Sequence, residues 1–139
     1  MARTLSDDAR QFIARFDDET GATAIDCVVG DDRLVFVVSI GEMAQAIGPG
    51  GETIGRLEER LDRDIELVED ADRPEEFVAN ALSPAAVYHV TISENETLVA
   101  YVEVADGDRG VAIGSGGKNI ETARLLVKRH FDIDDIQLT

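Results

Sequence analysis

The sequence predicts an α+β chain made of two tandem copies of one small unit, each running α-β-β-α-α-β. Three observations predict it. The motif Ala-Ile-Gly-x-Gly-Gly-x-x-Ile occurs twice, with Gly114 lying 66 residues after Gly48. Hydrophobic periodicity switches between helical and strand spacing in the same order around both copies. The 139 residues leave each copy about the length of a small domain. Repetition of a whole element order, not of one loop, is the signature of a duplicated unit.

In the first copy, Ser6 followed by Asp7 and Asp8 marks a helix start, with a hydroxyl for the cap and acids at the positive end of the dipole. Leu5, Ala9, Phe12, Ile13 and Phe16 recur at helical spacing, and Gly21 can end the helix. Ile25, Cys27 and Val29 alternate with their neighbours, and a turn at Gly30-Asp31-Asp32 leads into an apolar run over 34–38, so this stretch predicts a hairpin whose second strand is largely buried. A short helix over 42–47 runs into Gly48-Pro49-Gly50-Gly51. A second helix carries Ile54, Leu57 and Leu61 on one face, and residues 65–69 predict a closing strand.

A charged linker over 69–73 separates the copies, placing the units at 1–72 and 73–139. Pro74 suits a first helical turn and is followed by Glu75 and Glu76. Phe77, Val78, Ala81 and Leu82 form the apolar side of that helix. Strands are predicted over 86–92 and 97–104 with a turn at 93–96, then a short helix from 108 into Gly114-Ser115-Gly116-Gly117. A longer helix bearing Ile120, Ala123 and Val127 and a strand over 133–138 close the unit.

The charge is extreme: 29 acidic against 13 basic residues, net −16. The acids are spread from Asp7 to Asp135 and do not form a tail block, which predicts a surface adapted to concentrated salt and a salt-loving source. The longest apolar run is far short of a bilayer span. The start at 1–4 leads into polar sequence with no apolar export signal, and Cys27 has no partner for an internal disulfide. These features predict a cytoplasmic protein with no membrane association.

The repeated loop suggests a phosphate site, because glycines admit close backbone approach and the loop opens a helix whose first amides favour an anion. Ile47, Ile54, Ile113 and Ile120 are expected to anchor the flanking helices. Two other glycine-rich phosphate loops fail. A Walker loop needs glycine where Ala112 stands and Ser or Thr where Asn119 stands. The dinucleotide fingerprint needs glycine at Thr53 or Asn119 and a strand running straight into the loop. His89 and His130 have no Cys or His partner at ligand spacing, so no metal site is expected. Glu58-Glu59 and Asp134-Asp135 read as solvated surface, and no nucleophile arrangement stands out, so the chain is not expected to be an enzyme.

The motif Ile-Gly-x-x-Gly-x-x-Ile between two helices, beside a three-stranded sheet, resembles the KH domain, and the helix-first order resembles its prokaryotic form. The resemblance covers about 5–138. The doubled loop, the segment 74–84 and the ending 130–136 resemble the archaeal NusA-like family of transcription termination and elongation factors. It implies two type II KH domains, each a three-stranded mixed sheet packed by helices on one face. It also implies single-stranded RNA, a nascent transcript or ribosomal RNA, as the partner, with RNA polymerase as a protein partner and no cofactor or small-molecule substrate. Gly48, Pro49, Gly50 and Gly51 would clamp RNA backbone in the first unit and Gly114, Ser115, Gly116 and Gly117 in the second. Ile47, Ile54 and Leu67 would floor the first groove, and Ile113, Ile120 and Ile136 the second.

The chain departs from the pattern in having no basic residue inside either loop. Glu52 follows the first loop and Lys118 the second, so the second clamp is expected to bind better, assisted by Arg124, Lys128 and Arg129. Two alternatives stay open: a KH protein of ribosome assembly, and a protein-interaction scaffold with degenerate grooves.

Overall fold

The computed structural model describes residues 5–139; the start at 1–4, read above as carrying no export signal, lies outside the described residues. The chain divides into two compact units, Met1–Asp70 and Ala71–Thr139.

In the first unit, helix α1 (Asp7–Thr20) starts where Ser6 accepts a hydrogen bond from the Ala9 amide at 3.1 Å and ends at Gly21, left-handed at φ 72°. Strands β1 (Ala24–Val29) and β2 (Arg33–Val38) pair antiparallel, and β2 pairs in parallel with β3 (Asp64–Glu69). A parallel partner needs a crossover, and helices α2 (Met43–Ile47) and α3 (Glu52–Leu61) supply it. The core gathers under one face of the sheet, where Phe16 stacks on Phe36 with ring centroids 4.6 Å apart and Leu34, Val38 and Leu57 are fully buried.

The second unit repeats this order as α4 (Pro74–Ala81), β4 (Val87–Glu94), β5 (Leu98–Val104), α5 (Arg109–Ile113), α6 (Lys118–Phe131) and β6 (Asp135–Leu138). Its sheet order is β4-β5-β6, again antiparallel then parallel. Phe77 packs against His130 and Phe131, and Leu126, Val127, Ile133 and Ile136 fill the core. Both units are therefore α+β with a three-stranded mixed sheet.

Several expectations shift in detail. The β4–β5 turn falls at 95–97, because Ser93 and Glu94 stay in the ladder opposite Val99 and Leu98. Ile133 precedes the last strand and serves as a buried plug. Glu69 belongs to β3, and the Asp70 amide donates to the Val38 carbonyl at 2.8 Å, so the predicted linker begins later. The regular alternation predicted for β1 is broken by a bulge between Ala24 and Asp26. Asp26 is buried and its carboxylate accepts from the Cys27 amide at 2.8 Å, while Val29 is exposed. The matching strand β4 carries a bulge at Val87/His89.

Candidate nucleic-acid interface

The two glycine loops have nearly identical backbones. Gly48 sits at φ 77°, ψ 171° and Gly114 at φ 79°, ψ 170°, a region that only glycine adopts readily. Gly50 and Gly116 follow at φ 61° and 63°, then Gly51 and Gly117 at φ 79° and 81°. In both loops a short 3₁₀ turn, Pro49–Gly51 or Ser115–Gly117, delivers the chain into the next helix.

The glycines divide into two kinds. A methyl group on Gly48 would lie 2.1 Å from Thr53 Oγ1, and one on Gly114 would lie 2.7 Å from Asn119 Cγ. Gly50, Gly51, Gly116 and Gly117 have nothing within 4 Å of that position. The first glycine of each loop is thus closed in, and the last two face open space.

The loop amides are partly spent on the loop itself. Gly51 and Gly117 donate to the carbonyls of Gly48 and Gly114 at 3.1 and 3.0 Å, and the amides of Glu52 and Lys118 donate to Pro49 and Ser115. The simple expectation that all first-turn amides await an anion is corrected by these bonds. What the loops offer is exposed backbone at the mouth of α3 and α6, with Glu52 in the first turn of one and Lys118 opening the other.

The isoleucines also divide. The expected anchors Ile47 and Ile113 are 37% and 39% exposed, while their neighbours Ala46 and Ala112 are fully buried and do the anchoring. Ile47 and Ile113 therefore present apolar surface beside the loops. Ile54 and Leu67 pack partly buried against the first core, and Ile120 is buried. Ile136, expected to floor the second groove, is fully buried and belongs to the core. Both short helices are held from below in the same way: Glu42 accepts from the Thr23 amide and Asp108 from the Ala86 amide, each at 2.8 Å.

Two of the cations expected to assist the second loop, Arg124 and Lys128, are engaged within the fold. Arg124 Nε lies 2.9 Å from Asp135, Nη1 reaches Glu121 at 2.7 Å, and Nη2 donates to the Ile136 carbonyl at 3.0 Å. It straps α6 to β6. Lys128 bridges Asp132 and Asp134 at 2.8 and 2.7 Å. Those two carboxylates raise the Lys128 ammonium above its ordinary value, and Lys128 with the Leu98 amide holds Asp134 below its own. The second loop carries Lys118 at its helix start, and that residue is exposed. The residues that sequence reading missed are Thr53 and Asn119, whose only signal was their place two residues beyond the last glycine.

A helix-first unit with a β-β-α-loop-α-β continuation, a mixed three-stranded sheet and a G-x-x-G turn between α2 and α3 or between α5 and α6 defines a tandem KH-domain protein of the prokaryotic type. Residues 74–139 match the model of the NusA-like second KH domain. Over its full length the chain is 64% identical to the probable transcription termination protein NusA of Halobacterium salinarum, covering 100% of both chains. It is 30% identical to the protein of that name from Methanocaldococcus jannaschii, over 91% of this chain and 69% of that one. It also superposes on the crystal structure of APE1850 with a TM-score of 0.81 at 34% identity, covering 97% of this chain and 100% of that one. The chain belongs to the NusA family. The relative in Halobacterium fits the salt-adapted surface read from the acids. No helix among the described residues is long and apolar enough to cross a membrane.

Proposed function

We propose that this chain is a cytoplasmic RNA-binding factor of transcription termination and elongation that grips unpaired RNA backbone through its two G-x-x-G loops. It acts by binding alone, on the nascent transcript, with RNA polymerase as its protein partner. The observation that carries the reading is the pair of loops with matching glycine-dependent backbones, each with open space at its last two glycines and an exposed isoleucine beside it. KH domains clamp a short unpaired stretch with such a loop while bases meet an apolar groove. Gly48, Pro49, Gly50 and Gly51 with Ile47 and Ile54 form the first grip. Gly114, Ser115, Gly116, Gly117 and Lys118 with Ile113 and Ile120 form the second, and Arg124 supports it by holding α6 in place.

The net charge of −16 does not forbid this. In about 1 M salt the Debye length is about 3 Å, so acids beyond direct contact barely repel a phosphate. Affinity then rests on short-range contacts at the loops, and the second loop is the stronger because Lys118 stands where Glu52 stands in the first.

Fluorescence anisotropy with a short unpaired RNA in about 2 M KCl tests the reading, since screening there removes non-specific attraction. The parent binds, and Ser115→Asp/Gly116→Asp binds more than about tenfold more weakly. Aspartate tolerates the left-handed backbone at 116 better than most residues, so the fold survives. Absence of parental binding would turn the assignment toward a protein scaffold. Capture of ribosomal particles in place of RNA polymerase would turn it toward ribosome assembly.

A further inference from the structure

The first glycine of each loop has a partner that the phosphate-clamp reading does not use. The side chain two residues past the last glycine turns back under the loop: Thr53 beneath Gly48 and Asn119 beneath Gly114. A methyl group on Gly48 would approach Thr53 Oγ1, Cβ and N at 2.1, 2.6 and 2.9 Å; on Gly114 it would approach Asn119 Cγ, Cβ and N at 2.7, 2.9 and 2.9 Å. Asn119 goes further, its Nδ2 donating to the Val111 carbonyl in α5 at 2.9 Å. The side chain therefore spans the elbow from α6 across the loop to the helix before it. Both loops reach the same glycine-only backbone over different side chains, so the shared feature is the seat and not one residue type.

We infer that Thr53 and Asn119 are positioning residues: each wedges the first glycine into its extended left-handed conformation and so turns the last two glycines outward, toward the RNA backbone. This rests on the RNA-binding reading of the loops and adds the residues that set loop shape. Neither wedge need touch RNA. Truncation to alanine keeps the Cβ and backbone N beneath the glycine but removes Thr53 Oγ1, or the Asn119 amide with its bond to Val111. The loop is then held less tightly, and binding costs part of the ordering that the wedge supplies in advance.

The test uses the full chain with Asn119→Ala, Asn119→Thr and Thr53→Ala. Affinity for a short unpaired RNA is measured beside thermal melting and the amide resonances of Gly114, Gly116 and Gly117. Asn119→Ala is expected to weaken binding about tenfold, the scale of one lost ordering contact. It should shift the three glycine amides and speed their hydrogen exchange, with Ile120 and Leu126 amides unchanged. Asn119→Thr, which installs the side chain the first loop uses, is expected to restore affinity to within about twofold and return the amide pattern. Thr53→Ala should displace the Gly48 amide in the same manner. Binding by Asn119→Ala within about twofold of the parent, with glycine amides unmoved, overturns the inference. So does an affinity loss that Asn119→Thr does not rescue. A parent that binds no RNA counts against the RNA reading only; the glycine amide shifts and their rescue by threonine still decide the wedge.

Discussion

The two loops are alike in backbone and unlike in charge. Matching glycines differ by no more than a few degrees in φ, yet the first loop opens into Glu52 and the second into Lys118. The two sheets differ as well. Strand β2 is buried at all five positions after Arg33, whereas β5 alternates, with Ala100, Val102 and Val104 buried and Tyr101 and Glu103 exposed. The two units share what the backbone requires and differ in what it does not. The glycines are fixed because only they fit the dihedral angles, and the residue that opens the helix is free to change sign. The comparison therefore separates shape, which both units supply, from charge, which is acidic at the start of α3 and basic at the start of α6.

The largest expected effect comes from blocking the loops. Ser115→Asp/Gly116→Asp should weaken RNA binding by more than tenfold, above about 1.4 kcal/mol, while Pro49→Asp/Gly50→Asp costs less. Equal losses would show that both grips carry the same load. The glycines themselves should split next. Gly48→Ala meets Thr53 in a glycine-only region and should lose about 1–3 kcal/mol of stability. Gly50→Ala meets nothing and should lose only the left-handed penalty of about 1–2 kcal/mol. Denaturant midpoints in the same order would support the division into closed-in and open glycines.

Charge exchange sharpens the contrast at smaller scale. Lys118→Glu should weaken RNA binding by roughly fivefold and Glu52→Lys should strengthen it by a similar factor, the value of one screened pair of about 1 kcal/mol. With one cation at a loop, log affinity should fall with log salt at a slope near −0.7 in magnitude per phosphate met, far shallower than for basic binders. The smallest effect belongs to the Lys128–Asp134 pair. Asp134 is held below its ordinary value of 3.8, so its contribution to stability is present above that pH and is lost as pH falls through the depressed value. Asp134→Asn should therefore flatten the acid end of the stability curve of the second unit. Unchanged acid unfolding would leave the pair without a role in stability.

Much of this was legible in the sequence for identifiable reasons. Glycine and isoleucine at fixed spacing showed both loops, because conformational demand is written directly in residue type. Element order followed from periodicity, and the caps at Ser6 and Gly21 fell where predicted. Less legible were features that depend on three-dimensional partners. The bulge that turns Asp26 inward leaves no mark in a six-residue strand. Arg124 read as a cation on a helix face because Asp135 and the Ile136 carbonyl meet it only after β6 folds back. Ile136 and Ile113 have the same residue type and opposite exposure, which spacing alone does not separate. Thr53 and Asn119 differ in identity, so a search for repeated residues passes over them although they occupy one seat.

The two loops share a shape, and under the proposed function the second carries the grip. Amide resonances followed while a short unpaired RNA is added in about 2 M KCl address this directly, since screening leaves only contacts within a few ångströms. Resonances of Gly114, Gly116, Gly117 and Lys118 should move first and saturate at lower RNA than those of Gly48, Gly50, Gly51 and Glu52. Movement confined to the first loop, or to surfaces remote from both, would contradict the account.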